Sequence, residues 1–162
     1  MSKKLLLLSA LLSAVVMFTP SCGSDSDECA DVDCGANGAC FSGSCVCDDG
    51  YEQDADGKCT IESRQDFLGT YSCTETCSPG SQWNSTITTS SQGADRVVVS
   101  NFGDSNAALT CTVDGNDITV VPGQTIGGLA VNGSGSINNA SSVITFNYST
   151  TQFNCTMTMT KQ

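Results

Sequence analysis

Six cysteines fall between residues 29 and 59, beside seven Asp or Glu and hardly an aliphatic side chain. A segment so poor in apolar volume cannot fold around a core, so covalent crosslinks must hold it. The composition changes near residue 60. Residues 67–160 are rich in Thr, Ser, Val, Ile, Gly and Asn, which suits strands with one buried and one solvated face. The chain therefore divides into a crosslinked module over 29–59, a short polar joint over 60–66 and a second domain over 67–162. Its 162 residues carry 11 cysteines, an odd number, so at least one cysteine lacks a partner within the chain.

The module reads Cys29-x4-Cys34-x5-Cys40-x4-Cys45-x-Cys47-x11-Cys59. By count alone six cysteines leave many pairings open. The spacing, with Cys45-Val46-Cys47 followed by Gly50 and Tyr51, resembles an EGF-like domain across the whole module. That resemblance implies a first-to-third, second-to-fourth, fifth-to-sixth order, hence Cys29–Cys40, Cys34–Cys45 and Cys47–Cys59. Each closed loop contributes about 2–4 kcal/mol by limiting the unfolded chain.

Lys3 and Lys4 precede an apolar run from Leu5 to Phe18, which ends at Thr19-Pro20-Ser21-Cys22. These are the parts of a cleavable export signal over residues 1–21. The run is too short to cross roughly 30 Å of hydrocarbon as a helix, which takes about 20 residues. Thr19-Pro20-Ser21-Cys22 resembles the lipobox of bacterial lipoproteins, although Thr19 stands where that motif usually has leucine. The resemblance implies that Cys22, the odd cysteine of the count, becomes the lipidated first residue of the mature chain. Palmitate-type acyl chains there would hold the protein on a membrane at about 0.8 kcal/mol per buried methylene. Residues 22–28 form an acidic tether, and Gly23-Ser24-Asp25-Ser26-Asp27-Glu28 looks like the export signal behind the lipidated cysteine in lipoproteins of Bacteroidota. That likeness implies an outer-membrane protein facing the cell exterior. A solvated acidic linker accounts for the same residues.

The formal charge of the chain is −11, and loss of residues 1–21 removes two lysines and no acid, taking it to −13. Nucleic acid and anionic lipid are recognised through Lys and Arg, so this charge argues against both as electrostatic partners. An extracellular protein or glycan, neutral or cationic, fits better.

Zinc is a poor fit to the module, because the chain has no histidine and six thiols match no ordinary four-ligand site. Calcium is a weak candidate, and no other cofactor is implied. Asp25-Ser26-Asp27-Glu28-Cys29 resembles the start of calcium-binding EGF-like domains, which points to Asp25 and Glu28 as oxygen ligands. The short loop Cys40-Phe41-Ser42-Gly43-Ser44-Cys45 lacks the Asn or Asp that completes that pattern.

From residue 67 onward the pattern predicts eight short strands: 67–73, 83–89, 96–101, 108–113, 117–121, 129–137, 143–149 and 153–160. Ile144, Phe146 and Tyr148 share one face, as do Cys155, Met157 and Met159. Asp114-Gly115-Asn116 marks a hairpin turn. No stretch has helical periodicity and length. The expected fold class is all-β, with the crosslinked module followed by an antiparallel up-and-down barrel, or a sandwich, of about eight strands. Phe67-Leu68-Gly69-Thr70-Tyr71, the Val97–Phe102 strand and the Asn116–Val121 hairpin arm resemble the small lipocalin-like barrels of Bacteroidota surface lipoproteins. Four cysteines remain in this domain. Of their three pairings, Cys77–Cys155 would tie the domain's start to its last strand, which leaves Cys73–Cys111.

Catalysis has little to rest on. Without histidine the usual general base is missing, and with every other cysteine paired no thiol is left as a nucleophile. Asp114 and Asp117 flank a turn and read as turn formers. The chain is expected to be no enzyme but a binding or adhesion module on a stalk, with Trp83, Tyr71 and Tyr148 as candidate contacts because aromatics dominate interfaces. Core packing accounts for the same three residues. The alternative is a carrier that encloses a small apolar ligand in the barrel.

Overall fold

The computed structural model describes residues 28–140 and 142–162. Its N-terminal module is built of two hairpins. In the first, β1 (Gly38–Phe41) pairs with β2 (Ser44–Cys47). They are joined by Ser42-Gly43, both with positive φ (47° and 77°), as a two-residue hairpin turn with the twist of its strands requires. In the second, β3 (Tyr51–Gln53) pairs with β4 (Cys59–Glu62). Disulfides join Cys29 to Cys40, Cys34 to Cys45 and Cys47 to Cys59, in the order that the resemblance to EGF-like domains implied. Buried Cys34 and Cys59 stand where a larger domain would have aliphatic side chains.

The polar joint over 60–66 is not a free linker. Its first residues belong to β4, and a 3-10 helix, Ser63–Phe67, follows at once. Arg64 makes this segment a clamp. Its Nη1 donates to the carbonyls of Ser90 (3.1 Å), Gly93 (2.8 Å) and Arg96 (3.3 Å), while Nε donates to Glu62 (2.8 Å). Three carbonyls of one loop thus converge on a guanidinium whose planar fork suits several acceptors at once. Gly50 of the module lies against the backbone of Ala94 and Asp95 in the same loop, where no side chain would fit.

The second domain is a closed barrel. Its strands are β5 (Gly69–Glu75), β6 (Trp83–Thr89), β7 (Arg96–Phe102), β8 (Ala107–Asp114) and β9 (Asp117–Val120), then, after a small hairpin of β10 (Thr125–Ile126) and β11 (Leu129–Ala130), β12 (Asn132–Asn138), β13 (Val143–Ser149) and β14 (Asn154–Lys161). Each strand pairs antiparallel with the next, and β9–β12 and β14–β5 complete the circle. This up-and-down closure excludes the sandwich, since no barrel strand is left with an unpaired edge. Two strands differ from their expected extent by more than one residue at an end. Phe67 and Leu68 leave the first strand, Phe67 ending the 3-10 helix, and the run from Leu129 splits because Leu129-Ala130 fold back on Thr125-Ile126.

Inward residues alternate cleanly with outward ones. On β13 Ile144, Phe146 and Tyr148 are buried, and on β14 Cys155, Met157 and Met159 are. Phe67 closes one end, fully buried, with its carbonyl accepting a hydrogen bond from Tyr71 Oη at 2.8 Å. Phe102 packs edge-on against Phe146 (5.3 Å) and Tyr148 (4.9 Å). Space for those rings comes from β12, whose inward positions include Gly133 and Gly135. A Cβ on Gly133 would lie 2.7 Å from Tyr148 Cβ, and one on Gly135 would lie 2.5 Å from the Thr145 carbonyl oxygen and 2.9 Å from Phe146 Cα. Gly135→Ala is therefore expected to destabilise by about 1–3 kcal/mol, because backbone rather than a flexible side chain must give way. A urea midpoint unchanged from the parent would contradict this packing.

Candidate functional site

Outward positions of the barrel wall are mostly Ser, Thr and Asn. Where β9, β12, β13 and β14 run side by side, the register sets Thr119, Ser134, Asn147 and Thr156 in one row across four strands. They line a depression of about 530 Å³, to which Asn132 and Asn154 also contribute, and none of its lining residues is charged. Thr156 Oγ1 donates to Asn147 Oδ1 at 2.8 Å, which orients that carboxamide. A second depression of about 420 Å³ shares Thr119, Ser134 and Asn147 and has Asp117 on its rim. The row lies over the two inward glycines of β12, so the strand that carries Ser134 has the aromatic rings of Phe146 and Tyr148 directly behind it. Hydroxyl and carboxamide groups each donate and accept, so the surface matches neutral ligands rich in hydroxyl or amide groups. None of the four residues of the row was expected from sequence to be a ligand contact. The signal was present as Asn132, Ser134, Ser136 and Asn138 alternating with Gly133, Gly135 and Ile137.

Of the aromatic candidates, Tyr71 and Trp83 lie elsewhere, and Tyr148 borders the depression from the strand beneath it. Tyr71, Trp83 and Tyr148 are 0%, 7% and 5% exposed and belong to the barrel core, so they are not surface contacts. An aromatic in a strand of so small a barrel faces inward when its alternation neighbours are polar, and here those neighbours are Ser, Thr and Asn. Tyr148 Oη donates to a carboxylate oxygen of Glu75, and burial above all, with that carboxylate second, pushes its phenol well above the usual range. Trp83 Nε1 is the one buried side-chain polar atom without a partner among the described residues.

Four disulfides form among the described residues, and the fourth joins Cys77 to Cys155 with 5.4 Å between Cα atoms. Its geometry follows from the seam, since Glu75 faces Met157 and the next inward step brings Cys77 opposite Cys155. The expected Cys73–Cys111 bridge is wrong: both are free, buried thiols. Cys73 on β5 faces Trp83 on β6, whereas Cys111 on β8 faces Val97, whose own β6 partner is Thr89. Two strands separate them, roughly 14 Å of wall at about 4.8 Å per strand, far beyond the reach of a disulfide. Thiols without disulfide partners therefore do exist, contrary to the expectation that every cysteine but Cys22 is paired.

Burial keeps both thiols neutral. It pushes Cys111 from 9.0 up to about 12 and raises Cys73 too, with hydrogen bonding to Ser85 opposing. Tyr71 rises from 10.0 to about 12, mainly by burial and then by the charge of Asp66. These acids bind their protons more tightly in the folded than in the unfolded chain. The stability they contribute is complete below about pH 9 and is lost as pH rises towards about 12. Urea midpoints are expected to hold up to about pH 9 and fall beyond it, and Cys73 and Cys111 to resist iodoacetamide until the chain is unfolded. Alkylation of the native chain at either thiol would refute the packing described.

Cys22 and Asp25 lie outside the described residues. Glu28 is exposed, and its backbone carbonyl sits over Gly43 at the tip of the first hairpin. Among the described residues no group of three His, Cys, Asp or Glu side chains is placed to hold a metal. Asp114 and Asp117 pair across the β8–β9 turn. Comparison with protein-family models, with curated proteins and with solved structures finds no match. Fold and site together define an all-β protein, a closed antiparallel barrel behind a disulfide-crosslinked module.

Proposed function

We propose that this protein is a surface lipoprotein of the bacterial outer membrane, anchored through Cys22, whose EGF-like module holds a lipocalin-like barrel out to an extracellular partner. It binds and does not catalyse. The observation that carries this reading is the uncharged, hydrogen-bonding depression around Ser134, Asn147 and Thr156 on the outer wall. The packed interior favours an outer site over an enclosed one. Phe67, Tyr71, Phe102, Phe146, Met157 and Met159 are buried to within 1% of completely, whereas a void large enough for a ligand would leave such side chains accessible. The carrier alternative therefore draws no support from the barrel.

Neutral glycans and extended peptides are the ligand classes with matching chemistry. Binding of the mature chain to glycan and peptide arrays tests the reading, with Asn147→Ala expected to weaken a positive signal about tenfold, the worth of one or two hydrogen bonds. Absence of signal above background on both arrays would sink it. The mass of the mature N-terminus tests the anchor separately, a diacylglyceryl group on Cys22 being the expected result.

A further inference from the structure

The first hairpin differs from the rest of its module in charge. Residues 38–47 contain no charged side chain, whereas Asp31, Asp33, Asp48, Asp49, Glu52, Asp54 and Asp56 surround it in sequence. The hairpin also carries the two most exposed large hydrophobic residues among those described, Phe41 at 68% and Val46 at 57%. They share a face. Ala39 lies opposite Val46 and Phe41 opposite Ser44, so these four outward positions form one uncharged surface with the cysteines on its other side.

The placement of this surface is specific. At the tip, Gly43 lies 3.5 Å (measured from the position a Cβ would take) from the backbone oxygen of Glu28, so the chain from Cys22 reaches the module beside Phe41. Six peptide steps join Cys22 to Glu28, which holds the tip within about 20 Å of an anchored Cys22. The hairpin base runs the other way, through Asp48 and Asp49 to Gly50, which touches the barrel at Asp95. Arg64 fixes module to barrel. The apolar tip and Glu28 beside it are therefore at the other end of the hairpin from Gly50 and its barrel contact.

We infer that the Phe41–Val46 face of the first hairpin docks into the lipid surface to which Cys22 is tethered, so that the protein stands on the membrane by lipid and hairpin together with its barrel turned outward. This rests on the anchor proposed above. The aromatic ring of Phe41 and the branched side chain of Val46 would enter the headgroup boundary, as apolar residues of membrane-surface proteins do. The acidic residues, absent from this one face, would remain in water. A single hairpin adds little affinity to a lipid anchor. What it adds is orientation, because two points of attachment limit the swing that a single anchored point alone allows.

The test uses the full chain purified with its anchor and inserted into phosphatidylcholine vesicles with brominated acyl chains. Tryptophan is placed at the tip by Phe41→Trp and, as a control, in the β13–β14 turn of the barrel by Phe153→Trp. Both positions are exposed, so neither change should disturb folding. Bromolipid is expected to quench at least half of the emission added by Phe41→Trp and none of that added by Phe153→Trp. Sedimentation with vesicles but no quenching at position 41 overturns the docking and leaves the anchor intact, and crosslinked pairs under those conditions would assign the face to a second copy. A chain that stays in the supernatant overturns the anchor and the docking together.

Discussion

Removing the barrel's disulfide, by Cys77→Ser with Cys155→Ala, is expected to lower the unfolding free energy by roughly 4 kcal/mol, the largest effect of any one crosslink in the molecule. The bond spans 78 positions, against 11 or 12 for each disulfide of the module. It therefore removes far more freedom from the unfolded chain. It also sits at the seam where the first barrel strand meets the last, the one pairing that cannot form until most of the domain has been laid down. Cys77 is exposed just past the end of β5 and Cys155 sits in β14, so the change leaves no large cavity and the loss reads mainly on the unfolded state. Urea unfolding without reductant would measure it. A loss below about 1 kcal/mol would mean that the unfolded chain is already held together near this seam.

Phe146→Ala is expected to cost about 3–5 kcal/mol, the upper range for truncating a core aromatic. The ring is fully buried, packs edge-on against Phe102, and lies over Gly133 and Gly135. Glycines have no side chain with which to fill the space, so collapse around the cavity would have to come from the backbone. Phe146→Leu keeps most of the volume and should cost substantially less. If the two variants unfold at the same urea midpoint, the ring does not fill the space assigned to it.

The barrel was legible from local pattern because each strand has one wet and one dry face. Ile144, Phe146 and Tyr148 could be placed inward from their spacing alone, since Thr145 and Asn147 between them can satisfy their polar groups only in water. The same rule favours the core for Tyr71, Trp83 and Tyr148 over the contact role for which they were also candidates, and the core is where they lie. Cys77–Cys155 was accessible because it joins the first and last strands, which an up-and-down barrel makes neighbours. Cys73–Cys111 failed because elimination among cysteines takes no account of register. The clamp at Arg64 was not legible either. A polar heptapeptide gives no local sign that three carbonyls some 30 residues away in sequence will converge on one of its side chains.

Local chemistry therefore settled the fold class, the parity of each strand and the need for crosslinks in an acidic module with hardly an aliphatic side chain. These properties depend on nearest neighbours along the chain and on the choice between water and interior. Contacts between distant segments settled the rest: which thiols meet, where β12 presses its glycines onto Phe146 and Tyr148, how Ser134, Asn147 and Thr156 come into one row, and that Gly50, not the Phe41 tip, meets the barrel. Each of those depends on which strands lie side by side and in what register, and hydrogen bonding and packing fix that only once the barrel has closed.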